Sequence, residues 1–349
     1  MSRRTRIALS AVSLIGAAAL LVALPYVVGV DWEEIFAEIG RLSAVEVTVL
    51  TLLWLAGLGA YTYVLAASLP GLTHVHGFML NAVGSAVSNL LPFGGAAGVA
   101  VTFAMARGWG HRNAAIAVST LVTGVWNVLS RLLLPAVGIV ALLVAGELPD
   151  KRMAGMAGFA AAALLGIVVL LALVLRSEAA ARTVDRWMHA LALRLPSRPR
   201  SVMLRADGAM LDVRNKTVGV LRTGWKGLTF GMAAYLLLQA LLLEGCLVVV
   251  GAEVELAEVV AVFAINRMLT TAVITPSGAG ISETGTAALL VHFGVPAAPA
   301  AAATILYSFY TYAIEMPTGG LAWAGWTLRR RRDRGGDGAT TPHRTLVKK

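Results

Sequence analysis

Six stretches of this chain are each apolar for long enough to form about 20 consecutive helical residues: 7–30, 44–69, 113–146, 153–175, 226–250 and 297–328. Water cannot satisfy backbone amides inside hydrocarbon, so runs of this length are read as membrane-spanning helices. At 58% hydrophobic and 14% charged residues, the chain lies far from the about 25% charge of an ordinary soluble domain. The expected fold is an all-α polytopic membrane protein of the cell membrane. A single membrane domain covers 1–334, and the Gly-, Thr- and charge-rich tail 335–349 is expected to be disordered. The 24 residues of the first run exceed a usual signal-peptide core, which makes it a retained helix. Cys246 stands alone in an apolar run, which excludes a disulfide framework and a cysteine-rich metal site.

Basic residues set the orientation. Arg3, Arg4 and Arg6 precede the first run, nine Arg and two Lys fall in 176–226, and "RRRRDRGG" follows the last run. These segments, and with them both termini, are placed on the cytoplasmic side. The net charge of +10 is gathered beside apolar segments, so the expected partners are membrane lipids and their anionic headgroups, with no nucleic acid. "DWEEIFAEIG", "GELPDKR" and "GAEVELAE" belong to the opposite side.

Counting crossings from these anchors makes 77–107 begin and end inside and 258–292 begin and end outside, so each is expected to be a re-entrant hairpin. Both carry helix-breaking residues where a tip belongs: "NLLPFGG" at 89–95, with Pro92, Gly94 and Gly95, and "TPSGAG" at 275–280, with Pro276, Gly278 and Gly280. Backbone freed at such a tip must face protein or a water-filled cavity. Aligning Pro92 with Pro276 sets an offset of 184 residues that carries 44–69, 77–107 and 113–146 onto 228–253, 261–291 and 297–330. The halves, 7–146 and 153–328 with a basic amphipathic insertion at 176–226, then form an inverted repeat with two opposed broken hairpins, a plan common among secondary transporters.

Charged residues inside apolar runs cost at least about 2.5–3.5 kcal/mol each at a helix centre. Four stand out: Arg131, Arg267, Glu283 and Glu315. The offset superposes Arg131 on Glu315, whereas Arg267 and Glu283 occupy the two arms of the second hairpin. Arginine presents a planar fork suited to phosphate or carboxylate, which makes Arg131 and Arg267 the candidates for an anionic headgroup. Glu283, near a helix N-terminus, and Glu315 are candidates for contact or proton exchange. The competing reading is ion pairs that hold hairpins against helices without a ligand. Asn89 and Asn266 join the candidate set, although capping or interhelical hydrogen bonding is the plainer account of each, as for Asn81 and Asn127.

Other chemistries lack their motifs. GxxxxGK[ST] is absent, and the six histidines have neither HExxH nor metal-ligand spacing, so no metal, cofactor or catalytic residue is expected and the chain is not read as an enzyme. Ser277 and Ser282 lie near Glu283 without a histidine. Trp32, Trp54, Trp109, Trp225, Trp323 and Trp326 read as interfacial anchors. "DWEEIFAEIGRLS" at 31–43 has the spacing of an amphipathic surface helix, and 178–222 that of two basic ones.

The "NLLP" with glycines at 89–95 and P-x-G-x-G-x-x-E at 276–283 together resemble the lysylphosphatidylglycerol synthase transmembrane-region family, a flippase-like integral membrane domain, over about residues 5–330. The resemblance makes Asn89, Pro92, Pro276, Gly278, Gly280 and Glu283 the matched positions. It implies a stand-alone member without the aminoacyl-transferring domain. Two departures accompany it: 94–104 contains no acidic residue after the first motif's glycines, and Ser282 stands where many relatives have arginine. The function this implies is translocation of a phospholipid or lipid-linked anionic headgroup between leaflets. The alternatives are a noncatalytic scaffold or partner for a separate lipid-modifying enzyme or glycosyltransferase, and a small-anion channel or exchanger. A homo-oligomer is a further expected association.

Overall fold

The computed structural model describes the backbone of residues 22–24, 26–27, 29–90, 94–146, 151–176, 209–270 and 280–336. Pro92, Pro276, Gly278, Ser277, most of the first apolar run, the stretch 177–208 and the tail from 337 lie outside the described residues. Among the described residues every regular element is helical, giving an all-α membrane protein. In order these are α1 Trp32–Gly40, α2 Ala44–Ser68, α3 His74–Leu90, α4 Gly94–Gly108, α5 Asn113–Ala145, α6 Lys151–Arg176, α7 Ala209–Val249, α8 Leu256–Leu269, α9 Ile281–His292, α10 Ala297–Ser308 and α11 Glu315–Gly336. Three are long and apolar enough to cross a membrane: α2, α5 and the Asn215–Val249 part of α7. Val45, Leu52 and Tyr63 of α2 and Phe159, Leu165 and Leu170 of α6 are exposed, which suits lipid and not water.

Local chemistry sets the helix heads. At α2, Ser43 N donates to Glu46 Oε2 at 2.7 Å and Glu46 N to Ser43 Oγ at 3.3 Å, a reciprocal cap that satisfies two otherwise orphaned donors. α1 buries Ile35 completely, stacks Trp32 on Phe36 at 5.5 Å and packs against α10.

α2 and α7 form the most extensive helix pair. A Cβ at Gly224 or Gly227 would collide with Ala67, and one at Gly231 would press on Tyr63 and Val64. Lipid chains are as apolar as leucine, so helices associate in a bilayer through such close backbone packing more than through burial. Next in extent are α5 with α8 and α3 with α11, each helix that follows one helical pair clasping the first arm of the other. Gly138 of α5 fits against Ala261 and Ala264, and Gly319 of α11 against Ala82 and Ala86. Under the 184-residue offset α2, α3, α4 and α5 fall on 228–252, 258–274, 278–292 and 297–329, matching the second part of α7, then α8, α9, and α10 with α11.

Three expectations change. The run 297–328 is not one helix: α10 passes into a π-helical turn at Phe309–Ala313, where Ile314 N donates to Phe309 O at 2.9 Å, before α11 begins at Glu315. Pro317 explains the break, because it has no N–H for the Ala313 carbonyl and its ring crowds that position. The fifth run does not start at 226; α7 continues unbroken from Ala209, with the exposed Arg222 and Lys226 within it. The small residues that let α7 approach α2 begin at Gly224, so packing crosses the boundary that charge had drawn. Finally, Trp54 and Trp326 are buried at 4% and 7% exposure and pack inside the protein instead of anchoring at an interface. α5 is a single helix with Pro135 inside it.

Candidate functional site

α3 and α4 form a helical hairpin, and so do α8 and α9. A Cβ at Gly98 would overlap Ser88 Oγ and the Gly84 carbonyl, and one at Gly94 would overlap the Ser88 backbone. The "GGAAG" stretch is therefore a packing surface between the two arms. In the second pair, Asn266 Nδ2 donates to Thr286 Oγ1 at 2.9 Å across the arms. Gly280, at φ 84°, precedes α9 in a conformation that disfavours any side chain.

Between the two hairpins, α2, α5, α7 and the π-helical turn lies a cavity of about 460 Å³. It gathers Asn89, Gly95, Arg131, Arg267 and Glu315 onto one wall system, together with Asn81 and Asn127. The charged groups approach it at helix irregularities. Pro135 removes the N–H that would bond the Arg131 carbonyl one turn earlier, and Glu315 directly follows the π-helical turn and Ile314. The guanidinium of Arg131 donates to Thr270 Oγ1 at 3.4 Å, and Asn89 Nδ2 donates to Glu315 Oε2 at 3.2 Å. Each of these superposed charges thus reaches the end of the first arm of the opposite hairpin.

No ion pair among the described residues holds Arg131 or Arg267. Among the described residues the ion pair present is Arg41 with Glu38 at the surface, and neither Arg131 nor Arg267 has a carboxylate within 4.0 Å. Arg267 Nε is buried without a hydrogen-bond partner among the described residues, while its guanidinium carbon lies 5.9 Å from the centre of the Tyr235 ring. Gln239 lines the same cavity, and its Oε1 is likewise buried without a hydrogen-bond partner among the described residues. The arrangement leaves two cations without a carboxylate partner among the described residues, on a cavity large enough for a polar headgroup.

Glu283 and Asn266 are placed differently. Both are buried, at 2% and 5% exposure, but neither lines the cavity. The Glu283 carboxylate accepts from Gly280 N at 2.6 Å, Ser282 Oγ at 2.9 Å and Ser308 Oγ at 2.9 Å. It caps its own helix and ties α9 to α10. Glu283→Ala removes all three bonds to a charged acceptor and is expected to lower stability by about 3 kcal/mol, with Glu283→Gln, which keeps one oxygen as acceptor, losing about half of that. Thermal unfolding of purified protein followed by circular dichroism measures both.

Sequence reasoning passed over Tyr61, Tyr235, Tyr312 and Gln239, all of which line the cavity. Tyr61 OH accepts from Asn127 Nδ2 at 2.8 Å, so Asn127 positions the phenol. The available signal was a polar tip recurring within apolar runs away from their ends. Among the described residues no cluster of three or more His, Cys, Asp or Glu forms a metal site.

Comparison with known proteins gives one family. Residues 7–319 match the family described as the lysylphosphatidylglycerol synthase TM region. No curated protein and no solved structure matches the chain. The match spans nearly the whole sequence and concerns a membrane region, not a catalytic domain. The chain belongs to the lysylphosphatidylglycerol synthase TM region family, and its function concerns membrane lipids.

Proposed function

We propose that this protein moves a lipid with an anionic headgroup between leaflets, the headgroup being held in the central cavity by Arg131 and Arg267. The observation that carries the reading is the pair of arginines on one cavity of about 460 Å³ with no carboxylate in ion-pair range among the described residues. A charge kept in the membrane interior without a partner is costly, and one supplied by a ligand offsets that cost. Gln239 lines the same cavity and adds a polar side chain to its wall.

The two hairpins are read as re-entrant from opposite faces, with both termini cytoplasmic. Support comes from the shared 184-residue register of the elements and from the reciprocal clasping of α3 by α11 and α8 by α5. Transport then consists of one half rocking against the other. The contacts to be exchanged are Arg131 with Thr270 and Asn89 with Glu315, and Pro135 and the π-helical turn supply the bending points. A bound headgroup competes for the same guanidinium that holds Thr270, so occupancy and release of the hairpin are coupled.

The test is reconstitution of the full chain into vesicles carrying fluorescent phosphatidylglycerol in both leaflets, with a membrane-impermeant quencher outside. The expected result is quenching beyond the outer-leaflet half in protein-containing vesicles alone. Chloride flux without lipid movement would instead favour a small-anion pathway. Absence of both movements would favour a scaffold.

A further inference from the structure

We propose a second lipid site, separate from the central cavity, that binds one phospholipid through its anionic phosphate where α2 ends and α5 begins. A cavity of about 300 Å³ opens there between the C-terminal end of α2, the first two turns of α5 and the early part of α7. Its lining includes Ser68, Arg112, Val118, Lys216, Val220 and Thr223, and no Asp or Glu among the described residues. Arg112 is exposed directly before α5 and has no ion-pair partner among the described residues, and Lys216 lies half-buried on α7. Val118 and Val220 add hydrocarbon to the same wall. Two basic side chains together with apolar wall residues match a phosphate with the first part of an acyl chain, and basic pockets between membrane helices bind acidic lipid headgroups in this way.

The helix start adds to the charge. Arg112 occupies the cap position of α5 but makes no side-chain cap, so the first-turn N–H groups have no capping side chain to accept from them. A partition separates this site from the central one. Ser68 Oγ and Ser119 Oγ are 2.6 Å apart, Ser68 lining the outer cavity and Ser119 the central one. A lipid seated outside this hydrogen bond touches α2, α5 and α7 at once. The proposal stands on this cavity alone and does not require that the protein translocate anything.

The experiment is photo-crosslinking of the full-length protein in vesicles that contain phosphatidylglycerol with a photoreactive acyl chain, followed by mapping of the labelled peptides. Labelling is expected on the segments bearing Val118 and Val220. With one cation contributing about five-fold near a membrane surface, Arg112→Gln with Lys216→Gln is expected to reduce labelling by roughly thirty-fold, while Arg131→Gln leaves it unchanged. A photoreactive phosphatidylcholine is expected to label these segments weakly. Equal labelling in the double variant, or by phosphatidylcholine, would show an unspecific apolar groove and overturn the proposal. Loss of labelling on adding inorganic phosphate at about 0.01 M, where the Debye length is still about 30 Å and general screening is weak, would assign the site to a free anion and overturn it as well. Size-exclusion elution of each variant shows that it remains folded, and the Arg112→Gln single variant, which leaves α7 untouched, provides the same readout if the double variant aggregates.

Discussion

Gly319→Ala is expected to destabilise the protein, whereas Gly320→Ala, one residue away on the same helix, is expected to stabilise it. Helix propensity favours both replacements equally, by about 1 kcal/mol per residue in a helix interior. The difference between them therefore isolates the environment of the added methyl group. At Gly320 a Cβ meets nothing within 4 Å. At Gly319 it would overlap Ala86 Cβ and the Ala82 carbonyl oxygen, and neither is the end of a flexible side chain that can swing aside. Relief requires α11 to move away from α3, the helix on which Asn89 faces Glu315. Overpacking of this kind costs about 1–3 kcal/mol, and the gap between the two variants should be of that size in thermal unfolding of purified protein. Gly319→Leu, with four added carbons against the same backbone, should exceed it and abolish monodisperse yield. Equal behaviour of the two alanine variants would mean that α3 and α11 do not approach as described.

The residues that were legible from sequence are those whose presence in an apolar run is expensive. Arg131, Arg267 and Glu315 stood out because little except function or an ion pair repays a charge in hydrocarbon, and all three line the central cavity. The proposed register between halves rests on a related reason: proline and glycine are costly inside helices, so their spacing suggests where elements stop. Tyr61, Tyr235 and Tyr312 were not legible, because a tyrosine body is apolar and its single hydroxyl costs little until neighbours show whether water or protein meets it. Glu283 was visible as a charge, but its position three residues after Gly280 fits both a ligand contact and a cap. The distinction rests on Ser308, which comes from α10 and is 25 residues away in sequence. The extent of α7 was obscured because Arg222 and Lys226 lie on its exposed side, whereas the glycines that seat it on α2 carry no hydropathy signal. The break in 297–328 was not read from Pro317, because a single proline in a long apolar stretch signals either a kink or a boundary, and the π-helical turn combines features of both.

Arg131→Gln and Arg267→Gln should each slow lipid movement by about ten- to hundred-fold, since a hydrogen bond to a charged group is worth about 1.5–3 kcal/mol and each 1.4 kcal/mol is a factor of ten. The double variant should lose less than the product of the two, because both guanidiniums act on one ligand and their effects are not independent. Arg131→Lys keeps the charge but replaces a planar fork with a point charge, so it should fall between wild type and Arg131→Gln. Arg107→Gln, at the exposed end of α4, controls for net charge and should leave the rate within about twofold. The stability readout separates binding from architecture. Were Arg267 a structural tie, its removal would destabilise the fold; with Nε buried and unpaired and no carboxylate in ion-pair range among the described residues, Arg267→Gln is expected to raise the unfolding temperature while transport collapses. A variant that is slower and less stable in equal measure would sink the assignment of this arginine to a ligand. One that is slower and more stable identifies a charge maintained at a cost for the anion it receives.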